Sequence, residues 1–109
     1  MTVTVEDINE FGINKCVAWY LVHSYLYYQC DTSMLDDVVY DYLCKRLFNE
    51  INEATHMHKD FLDVDALKAG SAYHIHQFDY PTVIKSVAYN MRYGYWDVYG
   101  NELKKKEYK

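Results

Sequence analysis

Apolar positions recur at helical spacing in three stretches of this chain, with short polar interruptions between them. From Ile13 to Gln29 there is neither glycine nor proline. Val17, Leu21, Ser24 and Tyr28 follow one face there, while Cys16, Ala18, Val22 and Tyr25 cover neighbouring angles. The pattern predicts a long helix contacted on more than one side. Asp31-Thr32-Ser33-Met34 breaks it. A second helix is expected to begin near Asp36 or Asp37, where a carboxylate suits free backbone N–H groups and the positive end of the helix dipole. Tyr40, Leu43, Cys44, Leu47, Phe48 and Ile51 carry that helix to about Glu53. A short connection between two helices predicts an antiparallel hairpin.

The other segments are less regular. Residues 1–8 read as a lead-in or short extended segment. Residues 54–79 are mixed, with a short helical turn expected at Val64 to Ala69 that stops at Gly70, and room for one short β-element near Tyr73 to Phe78. A third helix is marked by Asp79 as a cap, Pro81 in the first turn, an apolar stripe of Ile84, Val87, Ala88 and Met91, and Gly94 as its end. The expected fold class is mainly α: a helical hairpin plus a third helix. Residues 1–103 form one small domain and 104–109 a basic, solvated tail.

Composition narrows the class. The 109 residues suffice for one modest core, half of them are apolar and one is proline, so the chain is expected to fold as a single globule. No apolar run approaches the roughly 20 residues that span a bilayer, and Met1-Thr-Val-Thr-Val-Glu-Asp7 is not a basic segment followed by an apolar one. A soluble, unexported protein is the expectation. Cys16, Cys30 and Cys44 make an odd set, and on one helix Cys16 and Cys30 would lie about 21 Å apart, too far for a disulfide. Three reduced thiols in the cytosol follow. The net charge is -5, and because Lys104 to Lys109 contribute +3, the body carries -8. Without a basic stripe, direct contact with nucleic acid is disfavoured.

Candidate chemistry gathers in the run from His23 to Leu43, HSYLYYQCDTSMLDDVVYDYL, which places Tyr27, Tyr28, Asp37, Tyr40 and Asp41 around one predicted helix-loop-helix corner. Aromatic rings stack on flat cationic rings, and carboxylates accept hydrogen bonds from sugar hydroxyls or offset positive charge. Asp37 and Asp41 share a helix face with Tyr40 beside them. The same residues also suit structural roles, with Tyr40 in the core, Asp37 at the helix start and Asp41 paired with Lys45 at helical spacing.

This run resembles, without a gap, the small helical domain that opens NAD-dependent DNA ligases. In that domain a Tyr-His pair and an Asp-x-x-Tyr-Asp element bind the nicotinamide mononucleotide half of NAD. The resemblance implies that Tyr27, Asp37, Tyr40 and Asp41 occupy ligand-contacting positions. Tyr28 stands where the family has histidine, and a phenol replaces imidazole neither in charge nor as a neutral nitrogen acceptor. The family forms its covalent nucleotide intermediate on a lysine followed after one residue by Asp-Gly. Neither Lys59-Asp60-Phe61 nor Lys68-Ala69-Gly70 supplies that motif.

Ala69 to Tyr73 and Asp79 to Pro81 resemble, more loosely, small ligase-domain-like proteins carried by tailed bacteriophages. The resemblance implies a non-enzymatic, phage-encoded binding protein in the host cytosol, acting through a host protein partner as modulator or inhibitor of a host enzyme or defence factor. The alternative it implies is a module that senses or sequesters nicotinamide mononucleotide or NAD.

Other constellations carry less. His56, His58, His74 and His76 form two distant pairs with no cysteine pair at structural-zinc spacing, so no metal site is expected. His23 precedes Tyr27 and Tyr28 by about one helical turn and is a candidate substitute for the missing family histidine. The acidic run from Asp31 to Asp41 lacks the glycine and final glutamate of a calcium loop. Tyr89, Tyr93, Tyr95, Trp96 and Tyr99 cluster around the end of the third helix, where they either present a protein-binding face or finish a shallow core.

Overall fold

In the computed structural model, which describes residues 3–72, 74–75 and 79–93, helix begins earlier than the apolar pattern indicates. Residues 1–8 were expected to be a lead-in or short extended segment, but α1 spans Val5–Glu10. Thr4 and Asp7 explain it. The Thr4 Oγ1 accepts from the Asp7 backbone N–H at 3.2 Å, and the Asp7 carboxylate accepts from the Thr4 N–H at 2.9 Å. This reciprocal capping box satisfies donors that a helix start otherwise leaves open. A six-residue helix is not stable alone. Tertiary contacts hold it: Ile8 is fully buried, and the Arg46 guanidinium donates to the carbonyls of Ile8 and Asn9.

The long helix α2 covers Ile13–Cys30. Nine of its residues are buried, and Val17, Trp19, Leu21 and Val22 among them point around much of its circumference, so α2 is the central strut of the fold. Burying a side chain of this size contributes about 2 kcal/mol relative to exposure. The helix ends at Asp31 in the left-handed conformation, φ 51°, where the Thr32 N–H reaches back to the Leu26 carbonyl at 2.9 Å. That six-to-one bond closes the last turn, and aspartate is among the few residues that tolerate the geometry.

Helix α3 covers Asp37–Glu50. Asp36 occupies the cap position without a side-chain cap hydrogen bond, leaving Asp37 in the first turn to complement the dipole. The helix was expected to reach Glu53, but its last turn tightens into a 3-10 turn over Ile51–Glu53. Ser24 meets Tyr40, whereas Asn14, earlier in α2, pairs with Thr55 beyond the end of α3. The two helices therefore run antiparallel, as the hairpin expectation required.

After a second 3-10 turn at Lys59–Phe61, α4 spans Val64–Ala69 between an Asp63 cap, whose carboxylate accepts from the Ala66 N–H at 3.0 Å, and Gly70 at φ 70°. This matches the expected short turn. The Tyr20 hydroxyl donates to the Ser71 carbonyl at 2.7 Å and ties the exit of α4 to the central helix. Helix α5 spans Thr82–Arg92 and buries Ile84, Ala88 and Met91 against α2. Asp79 was expected to cap it but lies too early: Pro81 holds the cap position, and its carbonyl accepts the Lys85 N–H at 3.1 Å.

Five α-helices and no strand occur among the described residues, so the fold is mainly α. Of the β-element expected over 73–78, His74 and Ile75 form a turn and bend, and the rest lies outside the described residues. Gly94, the aromatic residues beyond it and the 104–109 tail also lie outside them. No described helix is long and apolar enough to cross a membrane.

Candidate functional site

The corner where α2 ends and α3 begins encloses a cleft of about 320 Å³. Tyr27 and Tyr28 from α2, and Asp37, Tyr40 and Asp41 from α3, all line it. These are the five residues singled out from the sequence. The geometry follows from the hairpin: the last turn of α2 and the first turn of α3 meet across a connection of six residues, Asp31 to Asp36, from which Leu35 turns into the core.

The two α2 tyrosines are the exposed aromatic surface of the cleft. Their ring centroids lie 4.9 Å apart with planes at 87°, an edge-to-face pair that leaves ring faces open to a ligand. Tyr27 is 53 % exposed and Tyr28 38 %, more than core packing requires. Tyr40 is different. Its hydroxyl lies 2.6 Å from the Ser24 hydroxyl, and its ring stacks beside that of Tyr20 at 6.0 Å. Burial pushes its phenol far above the usual range, so Tyr40 stays neutral and serves as a fixed wall with one edge on the cleft.

Asp37 and Asp41 are both exposed, one helical turn apart. Asp41 Oδ2 lies 3.0 Å from Lys45 Nζ, an exposed pair one turn apart on α3. Such pairs contribute about 0.3–0.5 kcal/mol and give way easily to a better partner. The cleft therefore presents carboxylate acceptors that a ligand can recruit at little cost.

Beside Ser33, Met34 and Leu35 of the connection, Gly70 and His23 also belong to the wall. Gly70, read from the sequence as a helix stop, brings its backbone against α3: a Cβ at this position would lie 3.1 Å from Asp41 Oδ1. The left-handed backbone favours glycine here, and a methyl would have to push the Asp41 carboxylate aside by a few tenths of an ångström. His23 also lines the cleft, as its spacing from Tyr27 and Tyr28 suggested. Its ring is 3 % exposed, packs on Trp19 at 4.9 Å, and has no hydrogen-bond partner at either nitrogen. Burial lowers its pKa from 6.5 to about 4, so the imidazole is neutral at physiological pH. An unpartnered buried polar group costs about 1–3 kcal/mol, and such groups in a folded protein mark places where water or a ligand bonds.

The remaining candidates stand apart from this corner. His56 and His58 lie 5.4 Å apart, centroid to centroid, and His74 contacts the Phe61 carbonyl at 2.7 Å through Nε2. His76 lies outside the described residues. Among those described, no group of three or more His, Cys, Asp or Glu is placed to hold a metal ion. Burial raises the thiol pKa of Cys16, and that of Cys44 to about 12, which keeps both protonated and poorly nucleophilic. Tyr89 and Tyr93 are exposed, with ring centroids 4.7 Å apart on α5 and its exit. Tyr95, Trp96 and Tyr99 lie outside the described residues.

The chain matches no family model, no curated protein and no solved structure.

Proposed function

We propose that this chain is a non-enzymatic binding protein whose α2–α3 corner takes a nicotinamide nucleotide, either nicotinamide mononucleotide or that half of NAD. The observation that carries the reading is convergence. Tyr27, Tyr28, Asp37, Tyr40 and Asp41, grouped by their resemblance to a ligase nucleotide-binding domain, line a single cleft of about 320 Å³. Volumes of a few hundred Å³ are typical of small-ligand sites. In this reading the open faces of Tyr27 and Tyr28 stack on the cationic nicotinamide ring, which the two carboxylates also favour electrostatically. Asp37 and Asp41 accept from ribose hydroxyls. Lys45, already beside Asp41, supplies a cation for the phosphate. His23 takes the part of the family histidine that Tyr28 replaces. Binding of this kind requires no nucleotidyl-transfer lysine, in keeping with the missing Lys-x-Asp-Gly motif.

Calorimetric titration with nicotinamide mononucleotide and with NAD tests the reading. Saturable binding is expected, weakened about tenfold or more in Asp41→Ala, the loss typical of one charge-assisted hydrogen bond. Tyr27→Ala should weaken it independently. Absence of binding heat from correctly folded protein would remove the nucleotide reading and leave the corner as an inherited scaffold.

A second reading is favoured by one specific observation, the exposed Tyr89–Tyr93 ring pair. Tyrosines are enriched at protein interfaces because a large rigid ring carries a polar tip. Here the chain acts through a host protein partner, and a host enzyme or defence factor is the object of its modulation. Cross-linking in host extract, repeated with Tyr89→Ala/Tyr93→Ala, tests it: a partner retained unchanged by the double variant would exclude this face.

A further inference from the structure

His23 belongs to two clefts. Besides lining the nucleotide corner, it lines a second cavity of about 260 Å³ between α2, the segment carrying His56 to His58, and α5. Trp19 and Val22 of α2, and Val87 and Met91 of α5, supply mainly apolar walls. The titratable side chains there are imidazoles. Both nitrogens of His23 and Nε2 of His58 are buried without a hydrogen-bond partner. His56 is partly committed, since its Nδ1 accepts from the His58 backbone N–H at 3.0 Å.

This combination specifies a ligand chemistry. An apolar cavity of about 150 Å³ is enough to hold benzene, so one of 260 Å³ has room for a larger, bicyclic ring. Trp19 and His23, tilted together at 4.9 Å with Phe11 packed on Trp19 at 5.0 Å, make one wall partly aromatic. The cleft is open to solvent at the exposed Met57 and Val83, and its deeper walls are mostly apolar, so they offer ordered water few of the two to four polar partners it needs. A buried neutral imidazole carries one N–H and one acceptor nitrogen, so one of the two unpartnered His23 nitrogens calls for a hydrogen-bond donor.

We propose that this second cleft is a binding site for a small, flat, mainly apolar aromatic compound carrying one hydrogen-bond donor, of the indole class. The ring packs between Trp19, Val22, Val87 and Met91, and its N–H donates to an imidazole nitrogen of His23 or His58. Burial keeps His23 neutral and therefore able to accept. The site shares His23 with the nucleotide corner but not Asp37 or Asp41, which line only the first cleft.

Methyl NMR during titration with indole tests the proposal. Saturable shifts are expected at Val22, Val87 and Met91. N-methylindole, which keeps the ring but lacks the donor, should bind about fivefold to tenfold more weakly, the effect of one net hydrogen bond. Val87→Trp fills the cleft and should abolish binding, and Val83→Trp, at an exposed lining position, serves the same purpose if the first variant does not fold. Asp41→Ala should leave indole binding unchanged, which separates this site from the nucleotide corner. The proposal is overturned by the absence of saturable shifts in folded protein, by equal affinity for indole and N-methylindole, or by undiminished binding in a folded filled variant.

Discussion

The hydroxyl oxygens of Ser24 and Tyr40 lie 2.6 Å apart across the interface of α2 and α3. Ser24 is fully buried, and the phenol of Tyr40 is largely so. Each satisfies the other where little water reaches, and the bond sets how the Tyr40 ring meets the cleft. The residue is thus part of the core and part of the site at once, which reconciles its two sequence readings.

Tyr40→Phe keeps the ring and removes its hydroxyl, leaving Ser24 without this partner. A loss of about 1–2 kcal/mol in urea unfolding is expected. Ser24→Ala should cost a similar amount, and the double variant should cost less than the two single losses combined, because both break one bond. Strict additivity would mean that the hydroxyls are not coupled.

Gly70→Ala should destabilise by about 1–2 kcal/mol through its left-handed backbone alone, and by more because the new methyl crowds Asp41 Oδ1. Combining it with Asp41→Ala removes the crowding and should recover that second part. A denaturation cycle over the four proteins measures it. In wild-type Asp41 background, Gly70→Ala should also weaken nicotinamide mononucleotide binding, since the carboxylate must move.

Stability should fall on acidification through the titration of His23. Its folded pKa is depressed to about 4 from an ordinary value of 6.5 by burial, so between these values the unfolded chain binds the proton and the folded chain does not. The contribution is complete above pH 6.5 and is lost as pH falls towards 4, on the order of 2–3 kcal/mol. His23→Phe should flatten this limb of the pH–stability curve relative to wild type. The comparison matters because Asp37 and Asp41 face the same cleft, and His56 and His58 face the other side of His23. An unchanged slope in the variant would assign the acid sensitivity to those groups.

Most of the helical content was legible because its signals are local. The absence of Gly and Pro from Ile13 to Gln29, Asp36 and Asp37 at the start of α3, and Gly70 after Ala69 act within a turn or two of chain, and the elements fall within a few residues of expectation. Helix α1 was missed although its Thr4–Asp7 capping box is written in the sequence, because six residues become a stable helix only when Ile8 is buried and Arg46 reaches its carbonyls from α3. The start of α5 was misassigned by similar reasoning: Asp79 is a good cap by composition, but the chain first turns into helix after Pro81.

The candidate site divides the same way. Tyr27, Tyr28, Asp37, Tyr40 and Asp41 sit in one short run, so helical period and a tight connection alone bring them to one corner, and the sequence by itself determined that grouping. Tertiary structure decided the rest. Only the packed fold brings Gly70 from α4 against Asp41, commits Tyr40 to Ser24, and buries His23 between two clefts with both nitrogens unpartnered. The physical reason is that periodicity specifies which face of a helix a residue occupies, whereas desolvation and close approach depend on what the remaining chain lays over that face.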